Sequence, residues 1–120
     1  MVVSCVVPHD DAALIPGEIL AFLKEQFASF KLPRAILFEA ANPRHEHEWE
    51  DWAAMDIPED KVLVPGLIDT TTNLVEHPEL VAQRIRSFAD IVGRENVIAG
   101  TDCGLGTRVH DELVWAKLAA

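Results

Sequence analysis

Short apolar, β-branched runs alternate along this chain with longer stretches in which apolar residues recur every three or four positions. Val2-Val3-Ser4-Cys5-Val6-Val7 reads as a strand, ended by Pro8-His9-Asp10-Asp11. A helix is expected from about Pro16 to Phe30, with Ile19, Leu20, Leu23, Phe27 and Phe30 on one side. Pro16 suits its first position. Lys31-Leu32-Pro33-Arg34 breaks that helix, and Ala35-Ile36-Leu37-Phe38 forms the next strand, ending at Glu39.

After a loop at Ala40-Ala41-Asn42-Pro43-Arg44, the segment His45 to Trp52 predicts a short helix whose first turn is acidic, which suits the helix dipole. Val62 to Ile68 is a third strand, interrupted by Pro65-Gly66; proline there points to an edge, a bulge or a strand end. Asp69-Thr70-Thr71-Thr72-Asn73 is a polar loop. Pro78 opens the clearest helix and Gly93 closes it. Leu80, Val81, Ile85, Phe88 and Val92 form its apolar stripe, while Glu79, Gln83, Arg84 and Arg86 read as solvent-facing. Val97-Ile98-Ala99 is the fourth strand. A last helix runs from about His110 to the end, with Leu113, Val114 and Leu118 inward.

The order is β-α-β-α-β-α-β-α. Such alternation predicts an α/β domain with a parallel sheet and right-handed crossovers. Four β-α units amount to half of a TIM-type barrel; the monomeric alternative is an open flavodoxin-like sandwich. A half-barrel exposes sheet edges and part of its interior, so a homodimer completing the barrel is one expected solution. At 120 residues the chain is read as a single domain, 1–120.

Charge narrows the partners. With 20 acidic against 10 basic residues the formal net charge is −10, which argues against nucleic acid or an anionic membrane surface. No apolar run has the length of a membrane span. The apolar start lacks a preceding basic region, so it does not read as a signal peptide. Two cysteines in such a chain point to free thiols or ligands and a cytoplasmic setting.

Candidate chemistry gathers in Val97-Ile98-Ala99-Gly100-Thr101-Asp102-Cys103-Gly104-Leu105-Gly106-Thr107-Arg108. A strand here delivers an acid and a thiol into a glycine-rich turn, and in parallel α/β folds that end of the strand is where ligands bind. Gly104 and Gly106 would let the backbone turn sharply and approach a ligand. Cys103 is a potential metal ligand or nucleophile; the plain alternative is a small buried residue at a strand end. Asp102 either binds an amino group, orients the loop or caps it through backbone N–H groups. Arg108 either binds a carboxylate or pairs with Glu112. Trp49, Trp52 and Trp115 read as core or core-edge residues.

Four pieces carry a resemblance: "FEAANPRHEHEWEDW", "VPGLIDTTTNLVEHPELVAQRI", "GRENVIAGTDCGLGTR" and "HDELVWAKL". From about Phe38 onward they resemble the C-terminal end of the cobalamin-independent methionine synthase family and its shorter relatives. That family transfers a methyl group from methyltetrahydrofolate to a thiol such as homocysteine, using zinc held by a His-x-Cys pair, a Glu and a later Cys. The resemblance implies Glu39 and Cys103 as metal ligands. It also implies Asp69 and Asp102 as catalytic residues and Asp102 and Arg108 as substrate-binding ones. The His-x-Cys pair is absent from its expected place, and Thr71 occupies the family's active-site histidine position. Two ligands fall short of the three a zinc site normally takes from the protein. Cys5 with His9, or His45 with His47, would be reserves.

The opening, "VVSCVVPHDDAALIPGEILAFLKEQFASFKLPRAILF", resembles instead the C-terminal subdomain of AMP-forming acyl-CoA ligases, without that family's Gly-Lys continuation. The chain thus reads as a hybrid, ligase-like over 1–38 and synthase-like over 39–120. The resemblance implies an incomplete zinc site, inactive alone; the alternatives are a non-catalytic α/β scaffold and, more weakly, a ligase accessory domain.

Overall fold

The computed structural model describes residues 16–27, 33–106 and 108–120. The strand expected at Val2 to Val7, the reserve ligands Cys5 and His9, and the end of the first helix at Phe30 lie outside the described residues. Helix α1, Pro16–Gln26, starts where Pro16 predicts. Phe27, expected on its apolar side, is exposed.

Three parallel strands follow: β1, Ala35–Phe38; β2, Val62–Ile68; and β3, Gly100–Thr101. They lie in the order β1-β2-β3. Between β1 and β2 a 3₁₀ turn at Glu46–Glu48 leads into α2, Trp49–Ala54. Helix α3, Pro78–Val92, joins β2 to β3. Its first turn is capped by His77, whose Nδ1 accepts the Glu79 N–H at 3.1 Å. It ends at Gly93, whose φ of 85° is a left-handed value that glycine adopts without penalty. Helix α4, Asp111–Leu118, follows β3, with His110 as its cap.

The core lies between the sheet and the α2–α3 layer. Trp52, Leu63, Phe88 and Ala40 are buried, and Ile36, Phe38 and Val97 pack against them. Phe38 stacks on Trp52 with ring centroids 4.1 Å apart and meets Phe88 edge-on at 5.3 Å. Each such pair contributes about 1 kcal/mol beyond the area it buries. Because side chains alternate along a strand, Leu37 and Ile98 point to the other face. Both are exposed there, at 54% and 53%.

The proline in β2 does not make it an edge. Strand β2 is central, and β1 pairs with it in unbroken register from Ala35↔Val62 to Phe38↔Pro65. Val62 donates its N–H to Arg34 on the β1 side, and the Leu63 carbonyl accepts from Ile98 on the other. Alternation then puts the missing N–H of Pro65 on the β3 side. There the pairing is irregular: Gly66↔Gly100 is followed by Ile68↔Thr101, two residues of β2 against one of β3. The bulge reading of Pro65-Gly66 is therefore the right one.

Three further expectations are corrected. The strand expected at Val97-Ile98-Ala99 makes only an isolated bridge at Val97, and β3 proper is Gly100–Thr101. Ile98 and Ala99 are exposed, so their apolarity does not mark burial. In α4, Leu118 is exposed and Lys117 is the fully buried residue. Residues 113, 114 and 117 share a helix face, and the acceptors that face meets select lysine there. Trp115, on another side of α4, is 72% exposed rather than part of the core.

Candidate functional site

The C-terminal ends of β1, β2 and β3 form one rim. Glu39 follows β1 directly, the loop from Asp69 follows β2, and Asp102-Cys103 follows β3. Cys103 donates its thiol hydrogen to Glu39 Oε1 at 3.1 Å, across 64 residues of sequence. The contact spans the outer two strands by passing over the end of the middle one. Glu39, as acceptor, pushes the Cys103 thiol above its ordinary value; burial and the Glu39 charge add to this. Arg108 and the hydroxyl of Thr70 act the other way.

Asp102 makes that crossing. Its backbone N–H donates to Ile68 O at 3.0 Å. Its Oδ1 accepts the N–H groups of Ala40 and Ala41 at 2.9 and 3.0 Å. Burial pushes its carboxyl up; the backbone donors of Ala41, Ala40 and Asn42 oppose this, and the Glu39 charge reinforces it. Among the described residues, neither Oδ2 nor the buried hydroxyl of Thr70 has a hydrogen-bond partner. The carboxylate lies against Gly66, where a Cβ would stand 2.7 Å from the Asp102 Cα and N. A Cβ at Gly104 or Gly106 would meet nothing within 4 Å. The position that demands glycine for close approach is thus Gly66.

Asp69 is buried, and its carboxylate accepts hydrogen bonds from its own loop. Oδ1 accepts from Thr71 N at 2.8 Å and Thr71 Oγ1 at 2.7 Å. Burial works against its charged form, but the Thr71 and Thr72 hydrogen bonds and the Lys117 charge outweigh it and lower its pKa. The Asp69 N–H donates to Glu76 Oε1 at 2.7 Å. Glu76 Oε2 lies 3.1 Å from Lys117 Nζ, which also donates to Leu74 O. Arg108 is exposed and forms no ion pair among the described residues. His45 contacts Glu48 Oε1 at 2.7 Å through Nδ1 and lies 4.0 Å from Glu39 Oε2 through Nε2; His47 is exposed.

Arg84 reads from sequence as solvent-facing but is turned inward, its side chain 11% exposed. Nη1 donates to Leu67 O at 2.9 Å, and Nη2 donates to Ala41 O at 3.1 Å and Glu46 Oε1 at 2.9 Å. A signal was present: Arg84 sits four residues after Leu80 and four before Phe88, on the apolar stripe of α3. Lys117 carries the same signal, four residues after Leu113.

Two ligands of one tetrahedral zinc, bound through oxygen and sulfur, stand about 3.5 Å apart. The Glu39–Cys103 pair matches that spacing closely enough to form half of a ligand shell. Among the described residues, no group of three His, Cys, Asp or Glu could hold a metal ion. Nor, among them, is any helix long and apolar enough to cross a membrane.

A methionine synthase of Methanothermobacter thermautotrophicus is 46% identical over 46 residues, covering 38% of this chain and 15% of that protein. The structure of a B12-independent methionine synthase from Shewanella sp. W3-18-1, in complex with selenomethionine, superposes with a TM-score of 0.66. That match covers 86% of this chain and 27% of the other at 22% identity, and so bears on the fold alone. Residues 37–119 match the family described as cobalamin-independent synthase, catalytic domain. On that match over most of its length, this chain belongs to the cobalamin-independent methionine synthase family.

Proposed function

We propose that this chain carries one side of a zinc-dependent methyl-transfer site, with Glu39 and Cys103 as two of the metal's ligands. The observation that carries the reading is the 3.1 Å approach of Cys103 Sγ to Glu39 Oε1 at the ends of two parallel strands. Zinc, when bound, lowers the proton affinity of a thiol and holds it as the nucleophilic thiolate. In this reading the substrate is a small thiol such as homocysteine, and methyltetrahydrofolate is the methyl donor. Arg108, exposed at the rim, meets the substrate carboxylate. Asp102 shapes the rim through the Ala40 and Ala41 N–H groups, and its second oxygen, being buried, meets an amino group only if the rim opens. Asp69 serves as an acid only if its loop opens, because its carboxylate is engaged with Thr71.

Half a ligand shell gives no turnover alone. The missing ligands come from a second copy that completes the barrel, or from further chain.

Metal content measured together with native mass tests the proposal. A zinc-bearing dimer that loses its metal in Cys103→Ser is the expected result. A metal-free monomer whose cooperative unfolding ignores a chelator overturns it and leaves a non-catalytic scaffold.

A further inference from the structure

The turn that carries Glu39 is gripped from two sides. On one, Asp102 Oδ1 takes the N–H groups of Ala40 and Ala41. On the other, Arg84 Nη2 takes the carbonyl of Ala41 and Nη1 that of Leu67 at the end of β2. Ala41 is 1% exposed, so water cannot replace these partners. Arg84 lies on α3, in the outer layer, and has no contact with Cys103 among its hydrogen bonds. Its planar fork binds two carbonyls from different segments at once, which a single ammonium cannot do with the same geometry.

We propose that Arg84 is a positioning residue that fixes the Glu39 turn against the end of β2 and so sets the approach of Glu39 to Cys103. Asp102 alone can hold the turn's N–H groups, but a pivot about those two bonds would still swing Glu39. The Arg84–Ala41 bond removes that freedom. Glu46, the third acceptor, orients the guanidinium from the 3₁₀ turn. The proposal rests on the reading of Glu39 and Cys103 as a working pair, but it concerns the metal-free contact.

The test is the rate at which iodoacetamide labels Cys103 in the full chain at one pH, read by peptide mass mapping. Glu39→Ala frees the thiol and should speed labelling about fivefold, the equivalent of one hydrogen bond. Arg84→Gln should approach the same rate, and Arg84→Lys should fall between it and the parent. Combined with Glu39→Ala, the Arg84 substitutions should add nothing, because they act through that carboxylate. A role in stability alone would speed labelling equally with or without Glu39. That result, or an unchanged rate in Arg84→Gln, overturns the proposal. Should Arg84→Gln fail to fold, the Arg84→Lys cycle decides by the same comparison. Zinc content is measured separately: coupling without zinc sinks the metal reading and keeps this one, and zinc without coupling does the reverse.

Discussion

Gly66 is where a single hydrogen atom decides the rim. Any side chain there would meet the Asp102 backbone, which is held by its own bond to Ile68 O. Gly66→Ala must therefore push β3 away from β2 or turn Asp102 off the Ala40 and Ala41 N–H groups. The expected cost is about 1–3 kcal/mol, the range for overpacking a close contact. Urea unfolding should show a lower midpoint, whereas Gly104→Ala, with open space around it, should stay near the parent. An unchanged midpoint in Gly66→Ala would show that the approach of the two strands is slack. The demand for a missing side chain falls far from Cys103 in sequence, on the neighbouring strand, where no local pattern marks it; Gly104 and Gly106, expected to let the backbone approach a ligand, have open space around them.

Among the elements, α4 is tied to the loop after β2 by one buried ammonium. Lys117 is fully buried, and Glu76, its partner, is nearly so. Glu76 also holds the Asp69 N–H, so the pair organises the loop as well as filling space. Lys117→Met keeps the apolar stem and strands a buried carboxylate; the expected loss is about 3–5 kcal/mol. In Lys117→Met with Glu76→Gln the stranded Glu76 charge is gone, and most of that loss should return, less the part by which Lys117 favours ionised Asp69. A double variant no more stable than the single, by urea unfolding at neutral pH, would show that the pairing is not what the fold depends on. Helix α3 was legible from its stripe, its proline start and its glycine end because burial, capping and backbone freedom all acted on adjacent residues. Strand β3 was not. Its ladder is set by where β2 offers acceptors: Leu63 O takes the Ile98 N–H and Ile68 O that of Asp102, while Gly100–Thr101 pair with Gly66 and Ile68. Arg84 reads as outward for a related reason: a long cation suggests solvent, though its spacing places it on an inward face where carbonyls and a carboxylate await.

At the scale of the molecule, a parallel sheet is ordinarily covered on both faces. Here one face has α2 and α3, and the other presents Leu37 and Ile98 to solvent. The chain is expected to self-associate through that second face. Native mass across a concentration series should show a dimer for the parent and a shift to monomer for Leu37→Lys with Ile98→Lys. A parent that stays monomeric at every concentration would reject this. The alternation of strands and helices, and so the parallel sheet, was legible because it depends only on element order. The meeting of Glu39 with Cys103 was suggested by family resemblance. The crossing that Asp102 makes over Gly66 was beyond reach, since it depends on two strands being out of step.

That offset has a reach of its own. By setting two of its residues against one of β3, the middle strand brings its neighbour's tip level with Ile68 rather than Leu67. An edge strand of only two residues can then lean across the centre of the sheet and place an acid on the far side's turn. Straightening the ladder would leave the carboxylate short of that turn and the thiol facing solvent, with every residue of the rim still present.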